Sequence, residues 1–292
     1  MKTEKIAGIL TENHILFSSY LDREVTLDIY LPTNVLNQSD ISLLLINDGQ
    51  NLSEMPVRPC HPGGPARQSG GDFENILEDL YQNNSISPLL CVGIHCGKDR
   101  KNEYGTTDVL DYKGRGTKAE AYQQFIFDEL LPFVRKTYLI SSFKEKSICG
   151  FSLGALSALD IVWNNPGEFT KAGLFSSSLW WRTVSQHDVL FDENIHRIMH
   201  MKIRNGGFYP WLKFFFETGT KDETADRNEN GVIDAIDDTL SLIDELVLKG
   251  YDRHRDIKYL ELKDGKHDIA TWAKAFPEFL KWGWGRCVTG NQ

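Results

Sequence analysis

Apolar and polar residues follow one another along the chain in two rhythms, one with a period of two and one with a period near 3.6. Glu24–Pro32 alternates polar with apolar side chains and stops at a proline, the pattern of a half-buried outer strand that ends at a turn. Ile41–Ile46 and Leu89–Ile94 are apolar almost throughout, as expected of strands buried on both faces of a parallel sheet. Shorter strand-like runs lie at residues 147–149, 172–178 and 213–217, and Asp256–Leu262 alternates again. Between these runs the spacing predicts helices over Phe73–Tyr81, Ala119–Tyr138 (despite Pro132), Leu153–Trp163 and Thr239–Lys249, and a last helix carrying Trp272, Phe276, Phe279 and Leu280. Strand then helix, repeated over nearly the whole length, predicts a single α/β domain over residues 1–292. Its central sheet should be mainly parallel and covered by helices on both faces, with antiparallel strands only near the start. Residues 53–72, where Pro56, Pro59, Pro62 and Pro65 stand among several glycines, are expected to be irregular surface chain and a candidate mobile lid.

Composition narrows the partners. A chain of 292 residues that is 41% hydrophobic can bury a substantial core. Its net charge of -9 leaves no basic face for a phosphate backbone or an anionic lipid surface, so neither nucleic acid nor membrane is an expected partner. The first residues lack the apolar core of a secretory signal, and no stretch reaches transmembrane length. The five cysteines are odd in number and have no zinc-ligand spacing. A cytoplasmic protein with reduced thiols is the expectation.

The candidate chemistry centres on Gly150-Phe151-Ser152-Leu153-Gly154, a G-x-S-x-G sequence between a strand-like run and a helix-like one. In that context the motif reads as a nucleophile elbow: a tight turn lifts the serine clear of the sheet, and the flanking glycines remove side chains from the closest approach. The helix that follows presents free N–H groups and a positive dipole end to an oxyanion. A serine hydroxyl needs a base, and the base needs an orienting acid. His267 follows the last strand, beside Gly265 and just before a helix, which places it on the same rim as Ser152. The same argument selects Asp222 after the 213–217 strand, although Glu223, Asp226 and Asp234 lie close by. The order Ser152, Asp222, His267 is that of the α/β-hydrolases.

At this point the residues resemble the esterase branch of the α/β-hydrolases that includes enterochelin esterase-like, feruloyl esterase-like and esterase D-like enzymes. The resemblance covers most of the chain. It rests on Val25–Pro32, Asp48-Gly49-Gln50-Asn51, Asn102-Glu103-Tyr104, the elbow, Gly219-Thr220-Lys221-Asp222, and Gly265-Lys266-His267-Asp268 with Trp272 behind it. It implies carboxylic ester hydrolysis with Ser152 as nucleophile, His267 as base and Asp222 as acid, and no cofactor for catalysis. It also implies an oxyanion hole built from the N–H groups of Leu153 and of the loop near Gln50. Some enterochelin esterase-like members manage with a Ser-His pair, so the weight on Asp222 is the point where the resemblance is least binding.

Two further features stand apart. Asp226, Asn228, Asn230, Val232, Asp234 and Asp237 occupy positions 1, 3, 5, 7, 9 and 12 of a loop with Gly231 at position 6, close to an EF-hand calcium loop but with Asp in place of the usual final Glu. An acidic turn capping the next helix is the alternative reading; a bound calcium would be structural. Trp180, Trp181 and Tyr104 fall on expected rim loops and are candidate aromatic walls for a small or medium ester, aromatic or siderophore-type included. The same residues would serve an acyltransferase, which differs only in excluding water. A non-catalytic, calcium-dependent binding protein on a hydrolase scaffold is the rival from another class.

Overall fold

The computed structural model describes residues 8–33, 41–56 and 72–286, and its organising element is one eight-stranded sheet. The strands are β1 (Ile9–Ser18), β2 (Arg23–Pro32), β3 (Ser42–Asn47), β4 (Leu89–Ile94), β5 (Lys146–Phe151), β6 (Lys171–Phe175), β7 (Lys213–Lys221) and β8 (Ile257–Lys266). Their order across the sheet is β1-β2-β4-β3-β5-β6-β7-β8. β1 pairs antiparallel with β2 and β2 antiparallel with β4, and every later pairing is parallel. That is the expected α/β-hydrolase arrangement, with the carboxyl ends of β3 to β8 forming one rim.

The fully apolar runs occupy the middle of the sheet because both faces are covered. On one face Phe125, Leu156, Leu159, Phe214 and Leu242 join the packing of helices Ala119–Gln124, Leu131–Tyr138, Leu153–Asn164, Ile198–Asn205 and Asp234–Lys249. On the other, helices Asp72–Gln82 and Ile269–Trp284 pack Phe73, Leu77, Phe276 and Phe279 against Leu44, Cys149 and Phe175. The helix expected over Ala119–Tyr138 is interrupted by a π-helical stretch at Phe125–Leu130, immediately before Pro132. Proline lacks the N–H that would bond four residues back, and the widened turn accommodates the gap.

Three differences from the sequence reading have physical causes. β1 carries no clean alternation, because Ile15 and Phe17 stay exposed on its outer face beside inward Leu16. β8 runs on to Lys266, four residues past the expected end, where the Gly219 and Gly265 backbones meet so closely that a side chain on Gly219 would clash. The helix expected from Thr239 begins at Asp234, with Asp234 and Asp237 in its first turn, where the dipole favours negative charge. The lid expectation for residues 53–72 falls mostly outside the described residues. Among the described residues no helix is long and apolar enough to cross a membrane.

The rim rests on an aromatic cluster. Phe175 stacks on Phe276 at 5.1 Å and meets Phe151, Phe215 and Phe279 at 5.4, 5.7 and 5.6 Å. Replacing Phe175 by Ala should cost about 3–5 kcal/mol, from lost transfer energy and a residual cavity, read as a lower midpoint in urea denaturation.

Candidate functional site

The elbow exists and is strained. Ser152 sits at φ 57, ψ -118, a conformation L residues rarely adopt, between the end of β5 and the first turn of the Leu153–Asn164 helix. Its N–H donates to the Phe175 carbonyl at 2.9 Å, and its carbonyl accepts from Ala155 and Leu156 at 3.1 and 3.2 Å. The strain is held by close packing. A methyl group on Gly150 would lie 2.5 Å from the Gly154 backbone, and one on Gly154 would lie 2.6 Å from Asp48 Oδ2. Glycine is therefore required at both positions. The Leu153 N–H is the first of its helix and has no carbonyl behind it to bond, as an oxyanion donor needs.

Opposite Leu153, β3 delivers Asp48 in a left-handed conformation and then a short 3-10 helix, Gly49–Glu54, that contains Gln50. This loop is clamped from several sides. Arg100 donates to both carboxylate oxygens of buried Asp48, at 2.7 and 2.6 Å, and to the Phe151 carbonyl at 3.2 Å. Gln50 Oε1 accepts the Cys96 N–H at 3.2 Å. Asn47 donates to the Gly154 carbonyl at 2.8 Å and accepts from Tyr122 at 2.7 Å. Arg100 thus ties the loop of Gln50 to the strand that ends at the serine.

His267 stands between the end of β8 and the Ile269–Trp284 helix, which Asp268 caps by accepting the Thr271 N–H at 2.9 Å. Its ring meets Trp272 edge-on at 5.4 Å, and Trp272 stacks on Phe151, the residue before Ser152, at 4.9 Å. Burial pushes the His267 pKa below its ordinary 6.5, opposed by the negative charge of Asp222 and assisted by Arg100. Asp222 follows β7 directly. Burial raises its pKa, while the Ser176 hydroxyl, the Gly219 backbone and His267 favour its charged form. Neither carboxylate oxygen reaches full hydrogen-bond geometry with a partner, and Oδ1 lies over Gly219, 2.8 Å from where a Cβ there would be. The Ser152 hydroxyl meets Ser178 Oγ at 3.3 Å, and His267 bonds to neither Ser152 nor Asp222 in this structure. Catalytic hydrogen bonds of this kind commonly tighten only when substrate is bound. An open depression of about 610 Å³ lined by Asn51, Glu54, Pro56, His267, Ile269 and Trp272 borders the histidine.

The aromatic wall is smaller than the sequence suggested. Tyr104 is fully buried, and its hydroxyl accepts the Asp48 N–H at 3.1 Å. It supports the oxyanion loop from below and offers no wall. Trp181 is also fully buried, with the Arg115 guanidinium 4.7 Å over its ring. Only the partly exposed Trp180, 5.3 Å from the same guanidinium, keeps surface that a ligand can touch. Ser178, Glu217 and Arg100 were not singled out in the sequence. The buried acid Glu217 sits in the middle of β7, directly after the apolar run Phe214–Phe216, which gave no hint of it.

The residues of the calcium-type loop are linked by hydrogen bonds among themselves. Asp226 accepts the Asn230 and Gly231 N–H groups at 3.1 and 2.8 Å, and Asn228 and Asn230 both donate to Asp237 Oδ2, at 3.0 and 2.8 Å. Asp234 is engaged by Arg227, whose N–H it accepts at 2.8 Å and whose guanidinium lies 3.3 Å away. These contacts engage its Oδ1. Among the described residues no three His, Cys, Asp or Glu side chains gather as a metal-binding group. At the positions singled out the loop carries three carboxylates, two carboxamides and the Val232 carbonyl.

Comparison with known proteins agrees with the geometry. The chain is 24% identical over 268 residues to the protein YjcH of Bacillus subtilis (strain 168), covering 91% of this chain and 93% of that one. Among solved structures it is similar to the BES protein from Bacillus cereus, with TM-score 0.64, 19% identity and 97% of both chains covered. It is similar also to the enterobactin esterase FES from Shigella flexneri, with TM-score 0.66, 18% identity and 94% of this chain covered, although it spans only 58% of that enzyme's length. A third is the siderophore hydrolase EstB from Aspergillus nidulans, with TM-score 0.63, 16% identity and 93% and 94% coverage. The family model described as "Putative esterase" matches residues 18–282, and the chain belongs to that family.

Proposed function

We propose that the protein is a serine carboxylic ester hydrolase acting on a small or medium ester through an acyl-enzyme. The observation that carries this reading is the strained Ser152 at the elbow, on the same rim as His267 and Asp222, whose charges act on one another. In the proposed first step His267 takes the Ser152 proton as Oγ attacks the ester carbonyl, and the oxyanion is held by the N–H groups of Leu153 and Gln50. His267 then gives the proton to the departing alcohol. In the second step it draws a proton from water, which cleaves the acyl-serine. Asp222 stabilises the imidazolium in both. An aromatic or siderophore-type acyl group is the substrate class that the relatives suggest and that the exposed surface of Trp180 would suit. Transfer to an acceptor alcohol would use the same residues, and product analysis with added alcohol separates the two.

We further propose that, if the chain binds calcium, Asp226, Asn228, Asn230, Asp234, Asp237 and the Val232 carbonyl hold it. It would fix the segment between β7 and the Asp234–Lys249 helix and take no part in the chemistry.

Ser152→Ala should lower kcat on p-nitrophenyl butyrate by about 10⁴-fold or more, and residual activity near the wild-type level would contradict the mechanism. Because only neutral His267 can act as base, kcat/KM should fall on the acid side with a midpoint below 6.5. Arg100→Met leaves the Asp48 carboxylate buried without its partner, so it should destabilise the fold by about 3–5 kcal/mol in urea titration. It should also lower kcat more than it raises KM, since the oxyanion loop loses its clamp. A roughly hundredfold excess of calcium over its dissociation constant should raise Tm by about 5 °C. The rise should vanish in Asp226→Ala, and an unchanged wild-type Tm would dismiss the site.

A further inference from the structure

Beneath the proposed catalytic acid lies a second carboxyl group that the mechanism above does not use. Glu217 is 1% exposed, and its Oε1 is buried without a hydrogen-bond partner. Its Oε2 lies 3.4 Å from Ser176 Oγ. Ser176 Oγ in turn accepts the Trp272 indole N–H at 2.9 Å. The same Ser176 hydroxyl lies near enough to Asp222 to favour its charged form, although neither Asp222 oxygen is hydrogen-bonded in this structure and the Ser176 proton would have to turn to reach it. Ser176 is held in place by its N–H, which donates to the Glu217 carbonyl at 2.8 Å, and by a left-handed backbone at φ 43.

A count of protons decides how these groups divide their roles. A serine hydroxyl has one proton to give and two lone pairs to receive. One lone pair of Ser176 is taken by Trp272, which leaves one proton and one lone pair between two carboxyl groups. Were both carboxyls charged, they would compete for that single proton, and one buried anion would be left with no donor, an expensive arrangement at low dielectric. If one carboxyl keeps its own proton, it fills the second lone pair and Ser176 is free to donate to the other. The groups facing Glu217 say which keeps it. Asp222 and Asp268 both repel its charge, Ser176, just after β6, alone offers it stabilisation, and Tyr259 on β8 turns its hydroxyl to Thr218 and Glu261. Asp222, in contrast, has His267 as a partner for its charge.

We propose that Glu217 is a positioning residue that serves as a neutral carboxylic acid: it donates to Ser176 Oγ, which donates to Asp222, so that Asp222 is the one anion presented to His267. This rests on the esterase reading for its consequence in catalysis, though not for the protonation itself. Burial and the nearby Asp222 push the Glu217 pKa up to about 8, so the acid is neutral at pH 7 and ionises on the alkaline side. The stability sign follows. Between the ordinary value of 4.5 and about 8 the folded chain holds a proton that the unfolded chain releases, so Glu217 makes stability fall as pH rises through that window.

The test uses the full chain and two variants. Glu217→Gln keeps a neutral donor that cannot ionise; Glu217→Ala removes the donor. A lost hydrogen bond in the relay should reduce kcat about tenfold in Glu217→Ala, with Glu217→Gln recovering most of it. Wild-type kcat should decline above pH 8 while Glu217→Gln stays level, and the wild-type Tm should drop more steeply than that of Glu217→Gln between pH 5 and pH 8. Infrared difference spectra of wild type against Glu217→Gln should show the carbonyl stretch of a protonated carboxylic acid at pH 7 that disappears at pH 10. Absence of that band at pH 7, or an alkaline decline that persists in Glu217→Gln, would overturn the inference. If wild type turns over no ester at all, the esterase reading fails while the infrared band still decides the state of Glu217. If Glu217→Ala does not fold, the Glu217→Gln profile and the band decide the matter.

Discussion

The approach of two backbones at the elbow is the constraint on which the rest depends. Ser152 holds a backbone conformation that costs about 1–3 kcal/mol, and it does so because β5 and the helix behind it meet with no side chain between Gly150 and Gly154. β5 lies between β3 and β6 in the sheet, so their carboxyl ends stand beside the serine, and the first N–H of the helix is left without a carbonyl behind it at the rim. The aromatic cluster of Phe151, Phe175, Phe276 and Trp272 supports the turn from the opposite face and carries His267 into place.

Charge is distributed around that point with one rule: each buried anion has its own means of neutralisation. Asp48 is paired with Arg100 on both oxygens, which clamps the loop that carries Gln50. The charged form of Asp222 is favoured by the Ser176 hydroxyl, the Gly219 backbone and, when protonated, His267, and Glu217 is uncharged near neutrality. Asp234 and Asp238 are paired with Arg227, and Asp238 also with Arg197. The acid that follows β7 is thus bordered on one side by a silent carboxyl group and on the other by the segment that a cation would tighten.

The sequence disclosed what local pattern encodes. The continuous apolar runs of β3 and β4, the G-x-S-x-G context and the loop placement of Asp222 and His267 need only neighbouring residues to be read, and the sheet order and family membership agree with them. What stayed hidden depends on residues far apart in sequence. Tyr104 and Trp181 look like rim aromatics until the chain folds over them, and Arg100 gains meaning only when Asp48, 52 residues earlier, faces it. Glu217 was masked by the phenylalanines before it, because a strand buried on both faces gives no alternating signal to mark a polar residue as functional. β1 escaped for the opposite reason: apolar residues on its exposed face erase the period of two.

The central claim is that Ser152 is a nucleophile activated by His267. The most direct measurement is reaction with a fluorophosphonate probe, digestion, and location of the adduct by mass spectrometry. The account predicts a single adduct on Ser152 that is lost when His267 is replaced by Ala. A folded protein that takes up no probe, or takes it up on another residue, would contradict it.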